Sequence, residues 1–167
     1  MTVFVLMGVA GAGKTAVGRR VAEVLELTFI EGDDFHPQSN VQKMAGGTPL
    51  TDEDRVPWIE ALAQGINARQ PKRDAVVACS ALRRFVRDLL RARVPEPTHF
   101  LLLNADTSIL QQRLAERPQH FMKAGMLHSQ LEALEWPSNA TVIDAASSFD
   151  AVCGEVVAYI QASMVGR

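Results

Sequence analysis

The residues with the clearest chemical meaning lie near the start of the chain, where residues 8–15 read Gly-Val-Ala-Gly-Ala-Gly-Lys-Thr. This run fits the pattern GxxxxGK[ST], in which a glycine-rich turn lets backbone N–H groups approach phosphate oxygens closely. The lysine places an ammonium against the β- and γ-phosphates, and the hydroxyl residue after it offers an oxygen to Mg²⁺. We therefore predict ATP and Mg²⁺ as cofactors, with nucleotide binding assigned to Gly8, Val9, Ala10, Gly11, Ala12, Gly13, Lys14 and Thr15, and metal binding to Thr15.

A second group of chemically capable residues is the acidic run Glu31-Gly32-Asp33-Asp34. It follows an apolar run, and carboxylates at the carboxyl end of a parallel strand face the ligand crevice of an open α/β sheet. One carboxylate there can accept a proton from a substrate hydroxyl, and another can hold Mg²⁺ through water. An ordinary acidic turn explains the same composition.

Other classes of P-loop protein fit the sequence less well. A GTPase needs Asn, Lys and Asp together after its fourth strand, and residues 103–106 read Leu-Asn-Ala-Asp with no lysine. A translocase usually ends a strand with an acidic residue, whereas the run Ala75–Cys79 is followed by Ser80. These absences favour phosphoryl transfer to a small molecule.

The elements that position these residues are short apolar runs alternating with amphipathic stretches. The runs lack polar alternation, which is typical of strands buried on both faces of a parallel sheet. The pattern predicts one domain over residues 1–167 with an α/β, three-layer P-loop NTPase fold of about five parallel strands flanked by helices. The predicted strands are Val3–Met7, Leu27–Ile30, Ala75–Cys79, His99–Leu103 and Ala140–Ile143, and the predicted helices are Lys14–Leu25, Asp52–Asn67, Leu82–Arg93, Ser108–Arg117 and Phe149–Met164.

Two polar segments interrupt this alternation, Asp34–Leu50 and Pro118–Pro137. Long irregular inserts on an α/β frame usually serve as substrate loops or lids, although surface loops also tolerate insertions. We predict a substrate-binding insert over residues 34–55 and a lid over residues 117–137.

Composition limits the partners. Lys and Arg total 17 against 19 Asp and Glu among 167 residues, so the net charge of −2 argues against nucleic acid. No apolar run approaches the ~20 residues that cross a bilayer, and the N-terminal run reads as a strand, so we expect a cytoplasmic protein without a membrane partner. Two cysteines, Cys79 and Cys153, are too few for a disulfide framework and are expected to be buried thiols.

The chain also resembles the small P-loop gluconokinases, which are related to the shikimate and adenylate kinases. The resemblance covers nearly the whole chain, and its specific parts come in a fixed order after the P-loop. They are Gly32-Asp33 with His36-Pro37, Asn40 with Lys43-Met44, Asp54-Arg55 with Pro57-Trp58, Cys79-Ser80-Ala81-Leu82, Arg87-Asp88, Arg113-Leu114, Arg117, His120-Phe121, Met126-Leu127 and Ser129-Gln130.

The resemblance implies transfer of the ATP γ-phosphate to the 6-hydroxyl of D-gluconate, giving 6-phosphogluconate, by a homodimer. It implies Asp33 as the base, and Arg55 and Arg83 as the residues that hold the sugar acid. His36 and Lys43 would line the same pocket. Arg117 would reach the transferring phosphoryl group from the lid, so the catalytic set is Lys14, Asp33 and Arg117.

Several positions depart from the family's usual pattern, among them Glu31 in place of Asp, Arg83 in place of Lys and Val86 in place of Tyr. They leave open a related kinase acting on another sugar acid or on shikimate. A non-catalytic ATP-binding regulatory protein is the alternative from another class, and the presence of Lys14, Thr15 and Asp33 argues against it.

A few remaining residues carry structural expectations. We expect Trp58 to pack in the core and His99 and His128 to be structural or exposed. Arg83, Arg87 and Arg91 share one side of a predicted helix, and only Arg83 is expected to reach substrate.

Overall fold

The computed structural model describes residues 1–69, 73–116 and 124–165. Five parallel strands form one sheet in the order β2-β3-β1-β4-β5. The strands are β1 (Val3–Met7), β2 (Thr28–Glu31), β3 (Ala75–Ala78), β4 (Thr98–Asn104) and β5 (Thr141–Asp144). The helices are α1 (Lys14–Val24), α2 (Gln38–Ala45), α3 (Asp52–Asn67), α4 (Arg84–Arg93), α5 (Thr107–Ala115), α6 (Ala124–Ala133) and α7 (Phe149–Val165).

Both faces of the sheet are covered by helices, which explains why its strands read as continuous apolar runs. In β1, Phe4 and Leu6 pack into one cluster with residues of α1 and α7. Val3, Val5 and Met7 point the other way, into a cluster with residues of α3 and α4. The predicted three-layer α/β fold is confirmed. Both cysteines are buried free thiols, as expected, and burial raises the pKa of Cys79 to about 12.

The predicted strands and helices lie within two residues of their predicted bounds, but the described part of each insert contains a helix that was not predicted. The first contains a 3₁₀ turn at Gly32–Phe35 followed by α2, and the second contains α6. The expectation of irregular inserts was therefore wrong. Helix α2 is only eight residues long and buries only Asn40 and Met44, so it offers few apolar positions from which a helix could be read.

Hydrogen bonds at the start of α3 hold the C-terminal part of the first insert in place. Thr51 and Asp54 form a reciprocal capping box, with Asp54 N donating to Thr51 Oγ1 at 3.2 Å and Thr51 N donating to Asp54 Oδ2 at 2.9 Å. Lys43 on α2 donates to both carboxylate oxygens of Asp54 at 2.8 Å. These bonds tie α2 to the first turn of α3. No helix within the described residues is long and apolar enough to span a membrane.

Candidate active site

The turn between β1 and α1 has the backbone conformation of a phosphate cradle. Gly8 and Gly13 have φ values of 143° and 96°, which side-chain-bearing residues rarely adopt. A Cβ on Gly8 would lie 2.7 Å from the Leu103 carbonyl oxygen, so the turn also needs glycine there for space. Lys14 begins α1, and its Nζ donates to the Val9 carbonyl at 3.1 Å. The Lys14 ammonium therefore lies against the loop at the N-terminus of α1, where phosphate binds in such motifs.

The hydroxyl predicted to bind metal faces the acidic end of β2. Thr15 Oγ1 donates to Glu31 Oε2 at 2.6 Å, and the Asp33 amide lies 3.4 Å from Glu31 Oε1. Burial raises the pKa of Glu31, while the Thr15 hydrogen bond acts in the opposite direction. Hydroxyl and carboxylate oxygens are ligands that Mg²⁺ prefers, so this donor set fits the predicted metal.

A cavity of about 500 Å³ opens beside the P-loop. Its walls come from the P-loop, the turn after β2, α2, the first turns of α3, the segment after β3, and α6. Its size suits a small molecule with a few polar anchors. The polar side chains that line it are Lys14, Thr15, Asp33, Asp34, His36, Arg55, Ser80, Ser129 and Gln130.

The structure brings most of the sequence-predicted site residues to this cavity. Asp33, His36 and Arg55 line it together with Lys14 and Thr15. Two other predicted substrate-binding residues, Lys43 and Arg83, lie outside its lining, each already held by a carboxylate of α3: Lys43 by Asp54, and Arg83 by Asp52 at 3.3 Å. Arg117 and residues 118–123 of the predicted lid lie outside the described residues.

Asp52 forms hydrogen bonds with both arginines that were predicted to hold the sugar acid. Its Oδ1 accepts from Arg55 Nη1 at 3.0 Å, and its Oδ2 accepts from Arg83 Nη2 at 3.3 Å. Burial, with Arg83 as a nearby like charge, lowers the pKa of Arg55, while Asp52 raises it. Because guanidinium groups remain protonated in proteins, Arg55 presents a positive charge to the cavity. The cavity thus suits an anionic acceptor.

His36 is packed beside the candidate base. Its ring stacks on Trp58 with centroids 4.1 Å apart, and its Nε2 lies 3.7 Å from Asp33 Oδ1. Trp58 is buried, as expected, and its Nε1 donates to the Gly32 carbonyl at 2.8 Å. The indole therefore holds the turn that carries Asp33.

The other residues discussed from sequence have structural roles. His99 lies 3.0 Å from the Tyr159 hydroxyl and packs against Phe4, and His128 is exposed beside Glu132. Arg87 is buried and bonds three carbonyl oxygens. The two histidines agree with the expectations for them. Arg87 does not line the cavity, as expected, but its burial was not predicted.

Sequence reasoning missed the role of Gln130. Its Oε1, on α6, accepts a hydrogen bond from the Ala10 amide of the P-loop at 2.7 Å. The two residues are 120 positions apart. The sequence pointed to Gln130 only as a member of the motif set of the resemblance. That membership did not indicate a contact with the P-loop.

A second cavity, of about 410 Å³, lies on another side of the P-loop. It shares Gly11 and Gly13 with the first cavity, so the loop separates two adjoining spaces. Arg113 on α5 and Phe149 at the start of α7 line it, and Arg113 Nη2 donates to the Ala145 carbonyl at 2.6 Å. The motif set of the resemblance contained Arg113 but gave it no role, and no sequence pattern pointed to Phe149 as a site residue.

Comparison with known proteins gives consistent results. A family model described as shikimate kinase matches residues 10–158. The thermoresistant gluconokinase of Escherichia coli K12 is 38% identical over 164 residues, covering 95% of this chain and 93% of that protein. The thermosensitive gluconokinase of the same strain is 45% identical over 135 residues, covering 80% and 72%. A crystal structure of a gluconokinase from Sinorhizobium meliloti 1021 matches with a TM-score of 0.83 and 40% identity, covering 94% of this chain and 90% of that one.

Proposed function

Since this chain belongs to the shikimate kinase family and, within it, to the gluconokinases, we propose that it transfers the γ-phosphate of ATP to the 6-hydroxyl of D-gluconate. The chain is a phosphotransferase with an alcohol acceptor. The observation that supports the proposal most directly is one cavity lined by Lys14, Asp33 and Arg55. It combines a phosphate-binding cation, a candidate base and an anion-binding guanidinium.

The P-loop side of the cavity supports the nucleotide half of the reaction. Lys14 and the amides of the loop would hold the β- and γ-phosphates. Thr15, beside Glu31, would hold Mg²⁺, which neutralises charge on the phosphate oxygens when bound. The second cavity offers a place for the nucleoside, because the planar guanidinium of Arg113 can stack on a base.

The acceptor substrate would bind against the cavity walls that face the P-loop. Arg55 would bind the carboxylate of gluconate through its planar N–H groups, with Asp52 fixing one edge of the guanidinium. Asp33 would take the proton of the attacking hydroxyl, and its position next to the P-loop suits that role. His36 would lie beside it. Lys43 and Arg83 would act from outside the lining, through their carboxylate partners on α3.

The remaining expectations are also proposals. Arg117 would reach the phosphoryl group from a lid over residues 117–137, and residues 34–55 would form the substrate-binding insert of a single domain. A homodimer, a cytoplasmic location and the absence of a nucleic-acid partner complete the proposal.

A coupled assay of ADP release tests the acceptor. Gluconate should stimulate ADP release far above the background, whereas shikimate and nucleoside monophosphates should not. Equal rates with and without gluconate would refute the acceptor assignment.

Variants at the acidic turn test the base. Asp33→Asn should keep ATP affinity and lower kcat at least ~100-fold, the range expected when a general base is removed. Asp34→Asn, on the same turn, is the matched control and should lose much less. Turnover of Asp33→Asn comparable to wild type would remove Asp33 from the mechanism.

A further inference from the structure

The side chain of His36 is held on several sides. It is only 4% exposed, its face is stacked on Trp58, and its Nδ1 lies 3.4 Å from Asn40 Nδ2. Its Nε2 is directed at Asp33 Oδ1, 3.7 Å away. So little of the ring is exposed that a direct contact with an acceptor molecule would involve only its edge.

The contacts of Asn40 determine which ring nitrogen of His36 carries the proton. Asn40 is 1% exposed, and its Nδ2 donates to the Asp54 carbonyl at 2.8 Å. A carbonyl oxygen only accepts, so the amide nitrogen faces both Asp54 and His36, and its second hydrogen is available to His36 Nδ1. Nδ1 is then an acceptor, which leaves the proton of the neutral ring on Nε2.

The charge state of the ring agrees with this geometry. Burial lowers the pKa of His36, and the positive charge of Arg55 acts in the same direction, while Asp33 opposes both. Near neutral pH the neutral form of the ring is therefore favoured. A neutral ring whose Nδ1 accepts a hydrogen bond has a single N–H, and that N–H faces the carboxylate of Asp33.

We propose that His36 is a positioning residue, whose Nε2–H, fixed by Asn40 and Trp58, orients the Asp33 carboxylate toward the acceptor hydroxyl. This inference rests on the proposed role of Asp33 as the base. The side chain of Asp33 is 54% exposed and needs such a restraint. The present separation of 3.7 Å exceeds a hydrogen bond, and catalytic hydrogen bonds often tighten only in the substrate complex.

The turn that carries Asp33 is restrained on both sides in this arrangement. Trp58 Nε1 holds the Gly32 carbonyl that precedes Asp33, and the Trp58 ring also holds His36, which follows it. A small displacement of a reacting group lowers rates substantially, so a positioned base gains from this restraint. His36 would then act on kcat through Asp33 and leave acceptor affinity unchanged.

The test compares two amides at position 36. Gln places its side-chain nitrogen near the position of the imidazole Nε2, whereas Asn reaches only the position of Nδ1. We expect His36→Asn to lower kcat ~10- to 100-fold with the KM for gluconate within ~3-fold, and His36→Gln to recover most of that loss. A rise in gluconate KM in both variants, or an equal loss of kcat in both, would overturn the proposal.

A double-mutant comparison separates positioning from packing. In the Asp33→Asn background, His36→Asn should lower kcat little further, because the group it positions is already gone. A loss of kcat that adds fully to that of Asp33→Asn would overturn a role through Asp33. Urea unfolding of each variant identifies any loss due to instability.

The tautomer of the His36 ring can be determined by NMR, without an activity assay. Long-range ¹H–¹⁵N NMR correlations of the wild-type imidazoles, assigned by the signal lost in His36→Asn, should show the His36 proton on Nε2. A proton on Nδ1 would refute the inference even if gluconate is phosphorylated. A wild-type protein with the Nε2 proton but no gluconate-stimulated activity would instead refute the proposed acceptor.

Discussion

Replacement of Arg87 by Met should destabilise the protein far more than replacement of its exposed neighbour Arg84. Arg87 is 3% exposed, and its guanidinium donates to three carbonyl oxygens: those of Ala81 at 2.8 Å, Leu82 at 2.9 Å and Glu135 at 2.9 Å. The first two belong to the segment after β3, in which Ala81 has a φ of 44°. The third belongs to the segment after α6. One side chain therefore joins two walls of the main cavity.

The magnitude follows from these bonds. A hydrogen bond to a charged group contributes ~1.5–3 kcal/mol, so three would give ~4.5–9 kcal/mol if they simply added. Burying the guanidinium offsets part of this sum, as the lowered pKa of Arg87 shows, with burial as its main cause. We therefore expect Arg87→Met to lower the free energy of unfolding by ~3–5 kcal/mol, because three carbonyl oxygens lose their donor.

Urea unfolding followed by circular dichroism measures this loss. Arg84, on the same helix, is the matched control because its side chain is 80% exposed and its ion pair with Asp88 is 3.7 Å long. Its replacement by Met should change the free energy of unfolding by less than ~1 kcal/mol. If Arg87→Met proved no more destabilising than Arg84→Met, water would be satisfying the three carbonyls and the reasoning would fail.

Two further predictions concern the P-loop. Burial raises the pKa of Glu31, so Glu31 keeps its proton to a higher pH in the folded protein than in the unfolded chain. The free energy of unfolding should therefore fall as pH rises from the ordinary glutamate pKa through the raised one. Glu31→Gln should therefore lose less stability than wild type between about pH 4.5 and 7 in metal-free buffer, and an equal pH dependence in urea titrations would contradict this. Gln130→Leu removes the acceptor of the Ala10 amide and should speed hydrogen exchange at that amide ~10-fold, for a hydrogen bond of ~1.4 kcal/mol. Ser129→Ala is the control, and unchanged exchange in both variants would show that the bond does not persist in solution.

The sequence by itself determined the frame and the phosphate cradle. Strand β1 was predicted at its observed bounds, and α3 likewise, because each signal is local: an unbroken apolar run in one case and apolar residues at helical spacing in the other. The P-loop was identified because its chemistry depends on eight consecutive residues. The acidic run that contains Asp33 was found because carboxylates at a strand end face the crevice of this sheet type, and the family resemblance singled out Asp33 within it.

Only the tertiary structure decided which of the candidate residues share a cavity. Arg55 lines it while Arg83 does not, although both were predicted to bind the same group. Both pair with Asp52, but Arg83 also lies 3.6 Å from Glu135, in the segment after α6. Helix α2 formed where the sequence indicated an irregular insert, and it carries the Asn40 that fixes His36.

The contact between Ala10 and Gln130 shows the physical reason most clearly. It joins residues 120 positions apart, one in the loop after β1 and one on α6. Local spacing determines strands, helices and turns because those depend on neighbouring residues. Which distant side chains meet depends on the strand order β2-β3-β1-β4-β5 and on the paths of the connections, and no short stretch of sequence encodes either.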